Sequence, residues 1–493
     1  MLVLYHVFGS SSIKRYGQPL RWPPNTLPLA GNGILFLRAR HKLFSWFVKC
    51  EQHFGFETFQ ISVPSLPPGV VINDPKNLEY VLKNEGIFTK GDFFKRRSRD
   101  LFEGNGIINA DGALWKVQRK AGLHFLRTSN LKVLTDIALP AYLKDNIKVL
   151  EGLADGSVID LQAIFHELTT QLMGRMAYNM DIHDTDQFSV SFEYASGKTG
   201  ERFQNPLWPI TEIFFGKKFR ESVANVKDFG SVIVRSAAQS RQTKEHHKSM
   251  LQSSSKTFEG ISGSLINSLL DSIDEPQVVA DAALNYLSAG RDTTAQALTW
   301  SFYLLIRHPH IVDAVRQEIS TTADLDKTSG PNTSAFRPSS LPYVTAVFYE
   351  ALRFYPPVPF ELKQCDQATT LPDGTYLPKG AILVWCTWAM NRSRLIWGDD
   401  VDQFKPERWL KDGRLVSKSA FEYPVFNGGP RSCLGKKMAE SVAVQVIAAF
   451  VQRFDFDIVD DKERISKNSL TLPMERGLPC YVRTRSQQPE VRL

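Results

Sequence analysis

Phe426-Asn427-Gly428-Gly429-Pro430-Arg431-Ser432-Cys433-Leu434-Gly435 is the stretch around which this 493-residue chain is organised. Gly428, Gly429 and Pro430 break both helix and strand, whereas residues 436–450 carry a helical pattern, which predicts Cys433 at the mouth of a helix. Free amides and the positive end of the helix dipole favour a thiolate there, and a thiolate is the species that binds a metal ion. The loop offers a single ligand, so a metal at Cys433 has to bring the rest of its own.

Outward from that loop the chain is an ordinary globular one. With 43% hydrophobic and 23% charged residues it can bury a large core, and no clear linker divides it. The expected organisation is a short apolar segment over residues 1–19, a weak membrane anchor, followed by one domain over 20–493. Residues 1–8 are apolar apart from His6, far short of the ~20 needed to span a bilayer. The net charge of +7 is dispersed, and no zinc finger, phosphate-binding glycine loop or aromatic ribonucleoprotein motif accompanies it, which argues against nucleic acid. Five cysteines, Cys50, Cys365, Cys386, Cys433 and Cys480, lack CxxC spacing in a chain too large to need staples, which fits a reducing compartment.

Periodicity predicts a mainly α chain with small sheets. Helices are expected over 36–54 and 75–84, through most of 114–315, and over 342–355. The long helical region is interrupted at 152–156, at 206–209 and by a polar run at 252–263. A hairpin is expected from 56–61 and 69–73, with further strands near 375–378, 382–386, 455–459 and 480–483.

Three constellations carry chemistry. The longest helix, 278–307, would span about 45 Å and cross the middle of the molecule. Its centre reads Ala289-Gly290-Arg291-Asp292-Thr293-Thr294, and a mid-helix glycine, costing ~1 kcal/mol against alanine, asks for a reason. One reading is a groove for a ligand, with the Thr293 hydroxyl reaching the Ala289 carbonyl or that ligand and Asp292 relaying protons. The other is close helix packing through Gly290, with Asp292 in a salt bridge. Glu350 and Arg353 share a helix face, and Arg408, in Phe404-Lys-Pro-Glu-Arg-Trp409, could fold back onto them. Trp115 and Arg119 likewise share a face and, with Arg431, suit a carboxylate; the alternative is a packed tryptophan beside a surface arginine.

Taken together and in this order, Trp115-x-x-x-Arg119, Ala289-Gly290-x-Asp292-Thr293-Thr294, Glu350-x-x-Arg353, Pro406-Glu407-Arg408-Trp409 and Phe426-x-x-Gly429-x-Arg431-x-Cys433-x-Gly435 resemble the cytochrome P-450 family of haem-thiolate monooxygenases. The resemblance covers essentially the whole chain. It implies one mainly α domain with small β-sheets (α+β) enclosing haem b, with Cys433 as the axial ligand of the iron. Phe426, Ala289 and Gly290 would line the haem, and the glycines of the loop would let amides approach the sulfur. Trp115, Arg119, Arg431 and Lys363 are the candidates for its propionates, and Thr293 and Asp292 would be catalytic, handling dioxygen and protons. Electrons would come from NADPH through a separate flavoprotein reductase, met by Lys116, Lys120, Lys436 and Lys437, since no flavin or nicotinamide motif is present. A haem-binding electron-transfer protein of the same fold would need no Asp292-Thr293 pair.

Gly106-Ile-Ile-Asn-Ala-Asp-Gly-x-x-Trp115 and the cysteine stretch resemble the branch that hydroxylates fatty acids and alkanes in fungi and plants. That implies terminal or near-terminal hydroxylation of a long lipophilic chain, by a monomer on the cytosolic face of the endoplasmic reticulum membrane. The competing implication is a tailoring enzyme of fungal secondary metabolism acting on a polyketide or terpenoid. Phe93, Phe94, Leu101, Phe102, Leu284, Ser288, Val358, Phe360 and Leu472 are the expected pocket residues.

Overall fold

The computed structural model describes residues 12–63, 66–247, 262–325 and 336–485. The apolar segment 1–8 and most of the polar run 252–263 lie outside the described residues. Helix α1 (Arg40–Phe54) buries Leu43, Phe44, Phe47, Cys50 and Phe54 along one face. It starts later than its periodicity suggested, because Phe36 turns back to pack edge-on against Trp46 and Phe47, with ring centroids 6.3 and 6.4 Å apart. Strands β1 (Phe59–Ile61) and β2 (Gly69–Val71) pair antiparallel as the expected hairpin. Helix α2 (Pro75–Lys83) follows, with Pro75 in its first turn and the Asp74 carboxylate accepting from the Lys76 N–H at 2.9 Å. Next come strand β3 (Phe88–Thr89), α3 (Gly91–Phe102) and α4 (Gly112–Phe125).

The middle of the chain supplies α5 (Leu139–Glu151), β4 (Ser157–Asp160), α6 (Leu161–Met173), α7 (Gln187–Gln204), α8 (Trp208–Phe215) and α9 (Lys217–His247). Helix α10 (Pro276–Arg307) is 32 residues long and is buried on nearly every side from Val278 to Leu305, as expected of a helix that crosses a core. It begins at Pro276, whose missing N–H costs nothing in a first turn. Then follow α11 (Pro342–Phe354), β5 (Phe360–Cys365), β6 (Ile382–Cys386), α12 (Lys436–Arg453), β7 (Phe454–Ile458) and β8 (Pro479–Thr484).

The larger sheet runs β1-β2-β6-β5-β3, parallel only between β2 and β6. A second sheet runs β7-β8-β4; β4 lies just beyond 152–156, where the sequence showed only a break between helices. Strand β5 and helix α3 were also unread. β5 is buried at alternate positions of its second half only, and α3 is rich in arginine, so neither has a clean period. Lys14 and Arg15 hydrogen-bond to Gln18–Pro19 and to Thr375–Tyr376, and Ile13 is fully buried, so folded structure reaches back ahead of residue 20.

Helix α10 also fixes a loop over its own middle. The Gln296 amide donates to Thr471 Oγ1 at 2.8 Å and accepts from the Leu472 N–H at 2.7 Å, and Trp300 Nε1 donates to the Leu472 carbonyl at 2.8 Å. Residues 469–472 are thereby held against the turn that follows Thr293.

Candidate functional site

Gly435 is the N-cap of α12, and the Cys433 N–H donates to the Phe426 carbonyl at 2.8 Å, which closes the loop. Gly429 has φ +65°, and a Cβ there would stand 2.2 Å from the Leu82 carbonyl oxygen in α2. This glycine docks the loop on α2. A Cβ at Gly435 would stand 3.9 Å from Cys433 Sγ, and the Gly435 amide bonds to that sulfur.

Cys433 is exposed, but toward an interior cavity that it lines. Burial pushes its thiol pKa up, and the Gly435 and Lys436 amides, with the Arg119 charge, pull only part of the way back. The amides of the helix mouth thus favour the thiolate, as the sequence argument holds, but burial opposes them; a cation bound at the sulfur would add to what the amides supply. No group of three or more His, Cys, Asp or Glu among the described residues could hold a metal ion.

The cavity is about 550 Å³ and brings together Cys433, Phe426, Trp115, Arg119, Arg431, Lys363, Ala289, Gly290, Asp292 and Thr293. Trp115 is buried between two guanidiniums, with Arg431 4.5 Å and Arg119 5.4 Å from its ring centre. The Arg431 charge is already met: Nε donates to Glu85 Oε1 at 2.6 Å and Nη2 to Asp111 Oδ1 at 2.7 Å. Arg119 donates to the Ser432 carbonyl at 3.1 Å and has no carboxylate partner among the described residues.

Lys363 is 3% exposed and has no hydrogen-bond or ion-pair partner for its ammonium among the described residues. Burial, reinforced by the Lys90 and Arg431 charges, pushes its pKa down to about 7. An unfolded lysine titrates near ~10.4, so between about pH 7 and 10 the unfolded chain binds more protons and stability rises with pH. Haem-free protein is expected to gain melting temperature across that window, and Lys363→Met is expected to lose that part of the rise. Parallel curves for the two proteins would show that the ammonium is not buried as described. A carboxylate placed beside Lys363 would favour the charged form and flatten the slope.

Across the cavity, Thr293 Oγ1 donates to the Ala289 carbonyl at 2.7 Å, and Ala289 is exposed to the cavity. A Cβ on Gly290 would meet Met173 Sδ at 2.6 Å, so the glycine admits α6 against α10. Asp292 lines the cavity and accepts from Arg291 Nε at 2.7 Å, and both are buried. The packing reading of this segment is thus seen in its contacts, and the same segment borders the cavity. Thr293 lines the cavity, and Asp292 is held by a guanidinium whose Nη1 has no hydrogen-bond partner among the described residues.

Of the expected pocket residues, Phe93, Phe94, Phe102, Ser288, Val358 and Phe360 line the cavity. Leu101, Leu284 and Leu472 do not; they are 1%, 2% and 0% exposed in the core. Sequence reasoning missed Phe192, Ser196, Gly200 and Phe203, which line it from α7, and their spacing along one helix face was the available signal. Arg40 and Thr471 were missed as well.

Beneath the loop, Glu350 and Arg353 are fully buried, and Arg408 does fold back onto them. Glu350 Oε1 accepts from Arg353 Nη2 at 2.8 Å, Arg408 Nε at 2.9 Å and the Lys405 N–H at 3.1 Å. Oε2 accepts from Arg353 Nε at 2.9 Å and from Trp409 Nε1 at 2.8 Å.

A lone cysteine sulfur facing a large cavity, a buried ammonium without a partner among the described residues and a half-buried guanidinium on its wall, and a small-residue stretch opposite fit an iron porphyrin with two carboxylates. Cys433 would hold the iron, and Lys363 and Arg119 the propionates. When bound, haem supplies the redox centre at which dioxygen is reduced and a C–H bond oxidised. The Cytochrome P450 family model matches residues 22–480. Among similar proteins, Cytochrome P450 86B1 of Arabidopsis thaliana is 32% identical over 96% of this chain and 87% of its own length. Cytochrome P450 94A1 of Vicia sativa is 28% identical over 94% of this chain and 90% of its own. Cytochrome P450 monooxygenase cyp1 of Mycosarcoma maydis is 31% identical over 92% and 74%.

Proposed function

The chain belongs to the cytochrome P450 family and is a haem-thiolate monooxygenase fed with electrons by a redox partner, and we propose that its substrate is a long-chain fatty acid or alkane hydroxylated at or near the chain terminus. The observation that carries this reading is the apolar, aromatic wall that Phe93, Phe94, Phe192, Phe203, Phe360 and Leu470 add to the cavity beyond the residues assigned to the haem. The resemblance of Gly106–Trp115 to chain hydroxylases supports it.

In this reading Thr293 turns its hydroxyl from the Ala289 carbonyl into the cavity and holds a proton there, and Asp292 resupplies it; the 2.7 Å contact to Arg291 keeps that carboxylate in place between turnovers. The redox partner is a flavoprotein reductase using NADPH, drawn by Lys116, Lys120, Lys436 and Lys437, all exposed. The enzyme works as a monomer on the cytosolic face of the endoplasmic reticulum membrane. Helix α8 supports the membrane part: Ile210, Ile213, Phe214 and Phe215 are 56%, 71%, 74% and 82% exposed, and no residue of that helix is buried. No helix among the described residues is long and apolar enough to cross a membrane, so this contact would be interfacial; sedimentation with lipid vesicles checks it.

Reconstitution with a reductase and NADPH, offering fatty acids and alkanes of graded length, tests the substrate. Terminal or near-terminal alcohols are the expected products. Turnover of a polyketide or terpenoid, with none of any chain, would replace this reading by a tailoring role in secondary metabolism.

A further inference from the structure

The cavity is bordered by several cations, and nearly all are accounted for. Lys90 pairs with Glu361 at 3.1 Å, Arg431 with Glu85 and Asp111, and Arg119 and Lys363 stand in the cluster beside the cysteine loop. Arg40, in the first turn of α1, is different. It lines the cavity, is 6% exposed, and has no carboxylate partner among the described residues. Its Nη1 donates to the carbonyls of Lys467 and Thr471, at 3.3 and 2.5 Å, and its plane lies over Phe44. Its Nε and Nη2 have no hydrogen-bond partner among the described residues, which leaves that edge of the fork open on a side chain that lines the cavity.

The open edge is the one this protein uses to grip carboxylates elsewhere. Arg202 places Nε and Nη2 on the two oxygens of Glu212, each at 2.7 Å, and Arg353 does the same to Glu350. Arg97, also buried without an acid, spends Nε on the Arg202 carbonyl and does not line the cavity.

We propose that Arg40 binds the carboxylate of an acyl substrate through Nε and Nη2, so that the enzyme takes the free acid in preference to the ester or alkane. This rests on the chain-substrate reading above and narrows it. A guanidinium taken out of water without a counter-ion is costly, and burial holds the Arg40 pKa down at about 9. An arriving carboxylate removes that cost, and this is how a mostly apolar cavity would select an acid. The Lys467 and Thr471 contacts keep the fork aimed, and Gln296 holds Thr471 in turn.

The test is equilibrium binding of dodecanoic acid, methyl dodecanoate and dodecane to the haem-loaded enzyme, read from the perturbation of the haem absorption band. The acid is expected to bind at least ~10-fold more tightly than the ester, a difference of the size one charged pair gives. Arg40→Gln should remove that preference while leaving the ester's affinity within about twofold, and Arg40→Lys, which keeps the charge without the fork, should fall between. Equal affinity for acid and ester in the unaltered enzyme overturns the proposal, as does equal weakening of both in Arg40→Gln, which would mark Arg40 as a purely structural tie. If Arg40→Gln does not fold, the unaltered enzyme and Arg40→Lys decide by the same comparison. Failure of all three ligands to bind would overturn the chain-substrate reading itself, whereas ester binding without acid preference removes only the role of Arg40.

Discussion

Cys433→Ser is expected to yield a folded protein that, once reduced and exposed to carbon monoxide, lacks the absorption shift specific to thiolate-bound haem, with hydroxylation down by more than a thousandfold, about 4 kcal/mol of barrier. The substitution changes one atom. The backbone bond from Cys433 N–H to the Phe426 carbonyl does not involve the side chain, and the sulfur faces the cavity rather than packed core, so stability should change little. What is lost is the anion. Burial already holds the Cys433 thiol above its usual pKa, and a serine hydroxyl titrates far higher still, so even the iron's charge would not secure an equivalent ligand. Survival of the thiolate-specific band in Cys433→Ser would refute the assignment of the metal ligand.

The parts of this site that were legible in the sequence are those whose partners lie close along the chain. The loop from Phe426 to Gly435, the Ala289–Thr293 turn and the Glu350–Arg353 pair each declare themselves within one helical turn or one loop. The order of these motifs was enough to indicate the family and the mainly α fold, because a long buried helix and a glycine-broken cysteine loop have few alternative uses. Charge balance was not legible. Arg431 reads as a free cation, yet its two acidic partners stand 346 and 320 residues away. Lys363 was legible only through the resemblance, since its strand has no clean period, and it is buried between neighbouring strands with no counter-ion among the described residues. Arg40 hides for a related reason: at the start of an amphipathic helix a basic residue is ordinarily solvated, and only the distant 467–471 loop turns it inward. The glycines were half legible. A broken helix or loop announces that a backbone approaches something, but whether the neighbour is Met173, the Leu82 carbonyl or a ligand is set by elements far along the chain.

Glu350→Ala should destabilise the protein by about 3–5 kcal/mol, because it leaves the charges of Arg353 and Arg408 buried without their anion. The side-chain exposure of the two arginines, 0% and 9%, means water cannot replace the lost acceptor. The Trp409 indole and the Lys405 N–H lose theirs as well. Against a typical stability of ~5–15 kcal/mol this is a large fraction, visible as a lower urea midpoint. The damage should also reach the cysteine along a defined path. Tyr423 packs against Trp409 with ring centroids 4.8 Å apart and donates to the Tyr349 carbonyl at 2.9 Å. Immediately after it, the turn Pro424–Phe426 carries the carbonyl that receives the Cys433 N–H. A loosened Trp409 therefore frees the strap that positions the ligand, and the surviving folded fraction should lose haem faster on dilution than the unaltered protein. Glu350→Gln keeps the shape and one carbonyl oxygen but not the charge, so it should lie between the two. Because the penalty comes from stranded arginines, Glu350→Leu/Arg353→Met, which removes one of the stranded charges, should be less destabilised than the sum of its single changes. Strict additivity, or a loss under 1 kcal/mol in Glu350→Ala, would show that the network is not the tie that holds the cysteine loop.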